Sequence, residues 1–318
     1  MLKYIGKRVL LMIPVVLGIS FILFTIMEFS PGDPARIILG DYATQEQVDE
    51  LREEMGLNDT FLVRYGRYVL NAAQGDFGKS YRSNSPVVGE IAARFPVTLK
   101  ISLMAIVIAV LIGIPVGIIS AVKQYSFADI LSTMAALLFT SIPAFWLGLL
   151  LIMFLSVQHH ILPSVGSDTW KHLIMPSLSL AAAQMATIIR MTRSTMLEVI
   201  RQDYIRTAKA KGASSRRVVF HHAIKNALLP VITTVGLSVS NLLGGALIIE
   251  NVFGISGLGT VMVNSVKSKD TPLLLGSVMF AAVVAGFVNL GVDVLYTYVD
   301  PRIKAQFIKK KKRQGART

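Results

Sequence analysis

Three stretches carry residue types whose spacing could do chemistry. The first is Ala73–Ser80, where Gly78-Lys79-Ser80 closes a run that mimics a phosphate-cradling loop. Such a loop needs a leading glycine, a buried strand before it and a helix opening directly after it. Ala73 stands at the first glycine's place, no strand pattern precedes it, and Tyr81-Arg82-Ser83-Asn84-Ser85-Pro86 follows. The stretch is expected to hold no nucleotide. The second is His159-His160. An adjacent pair on one helix cannot converge on a single ion, and only Asp168 and His172 lie near in sequence. These read as interfacial histidines. The third is Asp203–Pro230, DYIRTAKAKGASSRRVVFHHAIKNALLP. It offers no nucleophile–base pair. Its charges are one-sided, with Arg206, Lys209, Lys211, Arg216, Arg217 and Lys225 against Asp203.

That third stretch has the grammar of an elbow. Asp203 can cap a short helix over Tyr204–Lys211, and Gly212 supplies the left-handed stop. Ser214 or Ser215 can cap a second helix running to about Asn226. Ala208, Ala210 and Gly212 are small enough to let another backbone approach. Two readings stand: an ordinary basic loop on the cytosolic side of a membrane, or a docking elbow for a partner.

The elements that would position these stretches are membrane spans. The chain has 318 residues, 53% hydrophobic and 16% charged. Soluble domains carry about a quarter charged residues. With no cysteine, disulfide and thiolate chemistry are excluded. Net charge is +13, yet its distribution matters more than its sum. Lys3, Lys7 and Arg8 precede Val9–Phe29, 21 residues with one charge, Glu28. About 20 helical residues cross the hydrocarbon core, so this reads as a retained signal-anchor with its N-terminus in the cytoplasm. Further spans are expected at Ile101–Val122, Ile130–Gln158, Leu173–Ile189, Ala227–Ile249 and Pro272–Val292. Pro143 makes the third either one tilted helix or two pieces. Basic residues number 3 before the first span, 9 over Arg190–Lys225 and 8 in the tail after Val299, so six spans put every basic segment inside. The tail's run Lys309–Arg313 suits either anionic headgroups or solvent. Leu295-Tyr296-Thr297-Tyr298 reads as an interfacial aromatic belt.

Ser30–Thr98 then lies outside, with seven Lys/Arg and ten Asp/Glu. Thr44 and Gln47 form a capping box for a helix ending at Gly56, and Leu62–Leu70 suggests another. Glu250–Thr271 is glycine-rich and reads as a re-entrant or surface-lying turn. The chain thus divides into 1–29 (N-terminus and first span), 30–98 (extracytoplasmic subdomain), 99–298 (five-span core with the elbow at 203–226) and 299–318 (basic tail).

Ionisable residues near the spans (Glu28, Arg190, Glu250, Asp293) sit at span ends, and no repeat is evident. That disfavours an ion-coupled secondary transporter. A channel would need a filter, for which Phe253–Gly259 is the one candidate. Both stand as alternatives to a pathway powered from outside the chain.

The chain resembles the integral-membrane permease subunits of ABC importers for dipeptides, oligopeptides or nickel, along nearly its whole length. The resemblance is carried by Ser30-Pro31-Gly32-Asp33-Pro34-Ala35, Gly56-Leu57, Gly75-Asp76-Phe77-Gly78-Lys79-Ser80 and Arg94-Phe95-Pro96-Val97-Thr98-Leu99. It continues at Ser141–Gly148, Asp203–Gly212, Val252–Gly259 and Asp300-Pro301-Arg302. It implies an all-α membrane protein of six transmembrane helices, in which a type I importer permease (MetI-like) core of five follows an extra N-terminal helix and an extracytoplasmic subdomain. The elbow would be the coupling helix, the EAA loop, seated in a groove of an ATPase subunit through Asp203, Tyr204, Arg206, Thr207, Ala208, Lys209, Lys211 and Gly212. Of the general pattern this chain keeps Ala208 and Gly212, with Arg206-Thr207 at the Glu-Ala positions. Leu229-Pro230 comes later than the pattern places it, so the second elbow helix is offset. Implied partners are a second permease subunit, two ATP-binding-cassette ATPases and an extracytoplasmic binding protein meeting the outer loops around Asp33, Asp76, Gly254 and Gly257. No cofactor would be bound by this chain, ATP and Mg belonging to the ATPases. Its place would be a bacterial or archaeal cell membrane, both termini cytoplasmic, and it would not itself be an enzyme.

Overall fold

The computed structural model describes residues 2–30, 32–40 and 42–299. The expectations for Asp300-Pro301-Arg302 and the basic tail fall outside the described residues, as do the side chains of the aromatic belt.

The elements run α1 Leu2–Phe29, α2 Pro34–Leu39, α3 Gln45–Glu54, α4 Phe61–Ala73, α5 Val87–Val122, α6 Phe127–Ser141 and α7 Ala144–Leu151. A π-helical stretch, Ile152–Gln158, extends α7. Then come α8 Ile174–Ile200, α9 Asp203–Ala210, α10 Ser215–Arg217, α11 Ile224–Val252, α12 Leu258–Ser268 and α13 Thr271–Val299. Besides helices, the described residues hold one isolated β-bridge, Lys79 to Pro86.

Among the described residues, five helical stretches are long and apolar enough to cross a membrane: Ile5–Phe29, Val87–Val122, Trp170–Ile200, Ser215–Gly244 and Thr271–Val294. The expected third span is two pieces, bent by 101°. Pro143 is the cause, because a residue before proline is pushed out of the helical region. Ile142 accordingly sits at φ −83°, ψ 123°. The pair completes a crossing, as two glycines show. A Cβ on Gly113 would come 2.9 Å from Ile188 Cγ2, and one on Gly117 would come 2.6 Å from Thr192 Cβ. Both numbers rise together, so α5 and α8 run parallel there. The chain between them must return across the membrane, and α6–α7 is the only apolar stretch placed to do so.

Several expected boundaries move, and two of the moves bring paired charges into helix. The second span starts at Val87, not near Ile101. Glu90 and Arg94 look like loop residues in a hydropathy reading, but they pair one turn apart at 2.7 Å. Val87, Ile91, Thr98 and Ile101 are buried, so the early turns are packed helix. The fourth span runs past Ile189 to Ile200, carrying Arg193 into a pair with Asp129.

The chain forms two compact units. Among the described residues, one gathers those up to Lys100 with Val165–Asp168 and Ala246–Gly286; the other holds Ile101–Ser164, Thr169–Gly245 and those from Phe287 to Val299. In the first, α3 begins at the expected capping box, with Thr44 Oγ1 accepting from Gln47 N and Gln47 Oε1 from Thr44 N. Gly56 ends that turn at φ +64°. Phe21 and Phe24 of α1 meet Phe61 and Tyr65 of α4 edge to face, with centroids 5.2–5.8 Å apart. Val87, Ile91 and Leu258 form a small core with Phe77 and Phe280 against it. In the second unit, Ser240 Oγ donates to Asn289 Oδ1 at 2.8 Å, tying α11 to α13.

Candidate functional site

The elbow is built as a rigid, outward-facing turn. After α8, Gln202 takes an extended conformation (φ −70°, ψ 149°) and α9 starts at Asp203. Asp203 is thus the first helical residue, and the expected side-chain cap is not made; Gln202 occupies the cap position without one. At its first-turn place Asp203 still complements the positive end of the helix dipole. Gly212 ends the helix as expected, at φ +83°. Ala213 N donates to Ala208 O at 3.1 Å and Gly212 N to Lys209 O at 2.9 Å. This nested pair satisfies terminal carbonyls that would otherwise lack donors.

Ser214 caps the next helix, its Oγ accepting from Arg217 N at 3.4 Å. That helix does not stop near Asn226. It passes through a π-helical stretch, Val218–Ala223, and continues as α11. The elbow's second limb is therefore the beginning of the long helix itself.

Ile205 fixes the elbow from beneath. It is fully buried, in a cluster with Ala121, Met196, Val218, Ala223 and Ala227. Its neighbours in α9 point away: Asp203, Tyr204, Arg206, Thr207 and Lys209 are exposed, as are Lys211 and Gly212, and Ala208 is half-buried. One apolar residue among polar ones thus sets which face packs and which is presented. Asn226 Nδ2 donates to Tyr204 Oη at 2.9 Å, bracing the first limb against the second. Arg206 and Asp203 approach to only 4.0 Å and are largely solvated, so that pair contributes little. The list of presented residues drawn from sequence omits Phe220, which is 63% exposed on the π-helical stretch. The signal was an aromatic side chain inside a basic run, two residues beyond buried Val218.

The residues expected to meet a binding protein have local partners. Asp33 caps α2, accepting from Ala35 N at 3.1 Å, and pairs with Arg52 at 2.9 Å. Asp76 accepts from Gly78 N at 2.8 Å. Gly254 takes φ +57°. Gly257 precedes α12, where an added Cβ would press on the Glu250 carboxylate. Glu250 itself is fully buried; Thr98 Oγ1 donates to it at 2.5 Å and Thr260 N at 3.1 Å, while Thr98 Oγ1 accepts from Leu258 N. Sequence placed Glu250 at a span end but did not reveal this closure of the glycine-rich turn. The turn is followed by the 11-residue helix α12, and Phe253, Ile255 and Leu258 are buried, so the stretch is a packed turn and helix rather than a surface-lying turn.

The other two stretches are structural. Gly78 accepts from Val87 N, Ser80 Oγ donates to Asp270, and no helix opens until Val87, so the backbone does not wrap a phosphate. His159 and His160 each engage a carbonyl of their own helix, those of Phe154 and Ser156, at 2.8 Å.

What the elbow offers is an exposed, braced, basic surface. The comparisons agree in kind. Residues 113–305 match the family model "Binding-protein-dependent transport system inner membrane component", and residues 1–103 match the N-terminal model of the same component. The chain is 40% identical to the dipeptide transport system permease protein DppB of Alkalihalophilus pseudofirmus, over 96% of this chain and 100% of that one. It is 42% identical to the glutathione transport system permease protein GsiC of Escherichia coli strain K12, over 96% of this chain and 99% of that one. Its fold is similar to that of a chain in inward-facing structures of the MetNI methionine ABC transporter, at TM-score 0.57 and 20% identity, covering 66% of this chain and 96% of the other. The chain belongs to the family of inner-membrane permease components of binding-protein-dependent transport systems.

Proposed function

We propose that the chain is one permease subunit of a peptide importer, driven by separate ATPase subunits that grip the elbow Asp203–Gly212. The observation that carries this reading is the presentation of α9. Buried Ile205 and the Gly212 turn hold it in place, while its basic face stays exposed beside Tyr204, which Asn226 braces. A loop that merely obeyed the positive-inside rule would need neither. Peptides are the substrate class because the relatives at 40% and 42% identity are named for dipeptide and glutathione transport.

In this reading the elbow lies in the cytosol, both termini with it, and residues 30–98 face a binding protein outside. ATP-driven closure of two ATPases draws this elbow and that of a second permease together, and the spans rock to alternate access. The chain's own residues orient and transmit; ATP and Mg stay with the ATPases. Asp33, Asp76, Gly254 and Gly257 shape the loops on the binding-protein side.

The test is purification of the assembled complex from its native membrane. The expected result is co-purification of a second permease and ATPases, with Gly212→Pro or Ala208→Trp weakening ATPase retention about tenfold or more, as loss of a packed interface anchor does. Membrane insertion should be unchanged. Normal retention and transport in both variants would overturn the docking role, and a homo-oligomer without ATPase would overturn the importer reading.

A further inference from the structure

The unit containing residues 30–98 holds an open-mouthed cavity of about 930 Å³, large enough for a small ligand. Six basic side chains line it, Arg52, Arg64, Arg67, Lys79, Arg82 and Lys269, against two acids, Glu28 and Asp33. Both acids are taken, Asp33 by Arg52 and Glu28 by Arg64. Arg67 pairs with Asp59. Lys79, Arg82 and Lys269 enter no ion pair among the described residues. The nearby Asp270 is buried, its carboxylate accepting from Ser80 Oγ and from the backbone N–H groups of Tyr81 and Leu273.

Two further features mark a prepared site. The Nε–H of Arg64 is buried and lacks an acceptor among the described residues. An unmet buried donor is costly unless something fills the space. Lys269 is half-buried at φ +56°, and its stem lies against Gly32, where an added Cβ would come 3.0 Å from Lys269 Cδ and Cε. Burial, then Asp270, pushes the Tyr81 phenol up to about 12, so it remains a neutral hydroxyl in the wall.

The rest of the wall indicates depth. Phe24, Met27 and Glu28 belong to the last turns of α1, where an apolar helix meets the headgroup layer. The adjoining α2 exposes Ile37, Ile38 and Leu39. Concave, cationic and bordered by apolar side chains at a helix end, the cavity matches a phosphate with hydrocarbon beside it. We propose that it binds a phosphate-bearing anion, either the headgroup of an anionic phospholipid or inorganic phosphate. Lys79 takes part through its side chain, without any backbone cradle.

The test uses the full chain, purified in neutral detergent and followed by thermal unfolding. The probes are phosphatidylglycerol, phosphatidylcholine, inorganic phosphate and a short glutamate peptide. Phosphatidylglycerol should protect and phosphatidylcholine should not. Exposed Lys79→Gln and Arg82→Gln should each weaken protection about fivefold, the effect of one basic residue near an anionic surface. Lys171→Gln, outside the cavity, should leave it unchanged. Protection by phosphatidylglycerol alone supports the lipid source, and protection by inorganic phosphate at millimolar levels supports the free ion. The proposal is overturned if neither protects, if Lys171→Gln weakens protection as much as the cavity variants, or if only the glutamate peptide protects.

Discussion

Arg193 grips Asp129 with both arms of its fork: Nε reaches Oδ1 at 2.6 Å and Nη2 reaches Oδ2 at 2.9 Å. Ser120 Oγ donates to the same carboxylate at 2.5 Å and Tyr125 N at 2.9 Å. Helices α5, α6 and α8 are thereby pinned at one carboxylate, close to the chain's turn into the elbow.

Breaking this pair from one side should be costly. Arg193→Met leaves a buried carboxylate without its cation, a loss of about 3–5 kcal/mol. Adding Asp129→Asn removes the stranded charge, so the double variant should lose less than the sum of the two singles. Thermal unfolding of the purified chain reads this, and single variants as stable as the parent would refute it.

Thr98 serves two partners at once, donating to Glu250 and accepting from Leu258 N. Thr98→Val keeps the volume and removes both bonds, at an expected cost of about 1–3 kcal/mol. Gly257→Ala attacks the same closure by crowding the Glu250 carboxylate. Both should speed amide exchange over residues 250–260. Unchanged exchange in both would show that the turn does not depend on this bond set.

Gly212 offers a local test that needs no partner. At φ +83° an alanine is strained, by roughly 1–2 kcal/mol, whereas asparagine tolerates the left-handed region better. Exchange of the Ala213 amide, which closes on Ala208, should quicken in Gly212→Ala and recover in Gly212→Asn. Equal rates in all three proteins would remove the stop role assigned to this glycine.

Much of the fold was legible because hydrocarbon imposes simple demands. Apolar runs of fixed length gave the crossings, Pro143 gave the break, and Thr44 with Gln47 gave a cap. Misreadings arose where a charge is paired. Glu90 and Arg94 look like a loop until seen one turn apart, and Arg193 looks like a span end until Asp129 is found opposite. Such partners lie 4 and 64 residues away, and composition holds no trace of the second. In the elbow, Gly212 and Ser214 announced themselves through local rules. The buried role of Ile205 did not, since one isoleucine among polar residues gives no period to read. The π-helical stretch that merges the second limb into α11 has no sequence rule at all, which is why that limb was expected to end at Asn226.

The seats at Gly113 and Gly117 have a mechanical consequence. Ile188 and Thr192 stand one turn apart on α8 and enter notches one turn apart on α5. An axial slip of one to three residues drives those side chains into Ile114, Pro115 or Val116. The contact is a key in a keyway: it tolerates rotation of the joined pair as a body but blocks creep along the axis. The flanking positions one turn away, about 5.4 Å along the axis, are Ala109 and Ala121, both buried, so neither offers an empty seat. Force applied along either helix therefore moves both together.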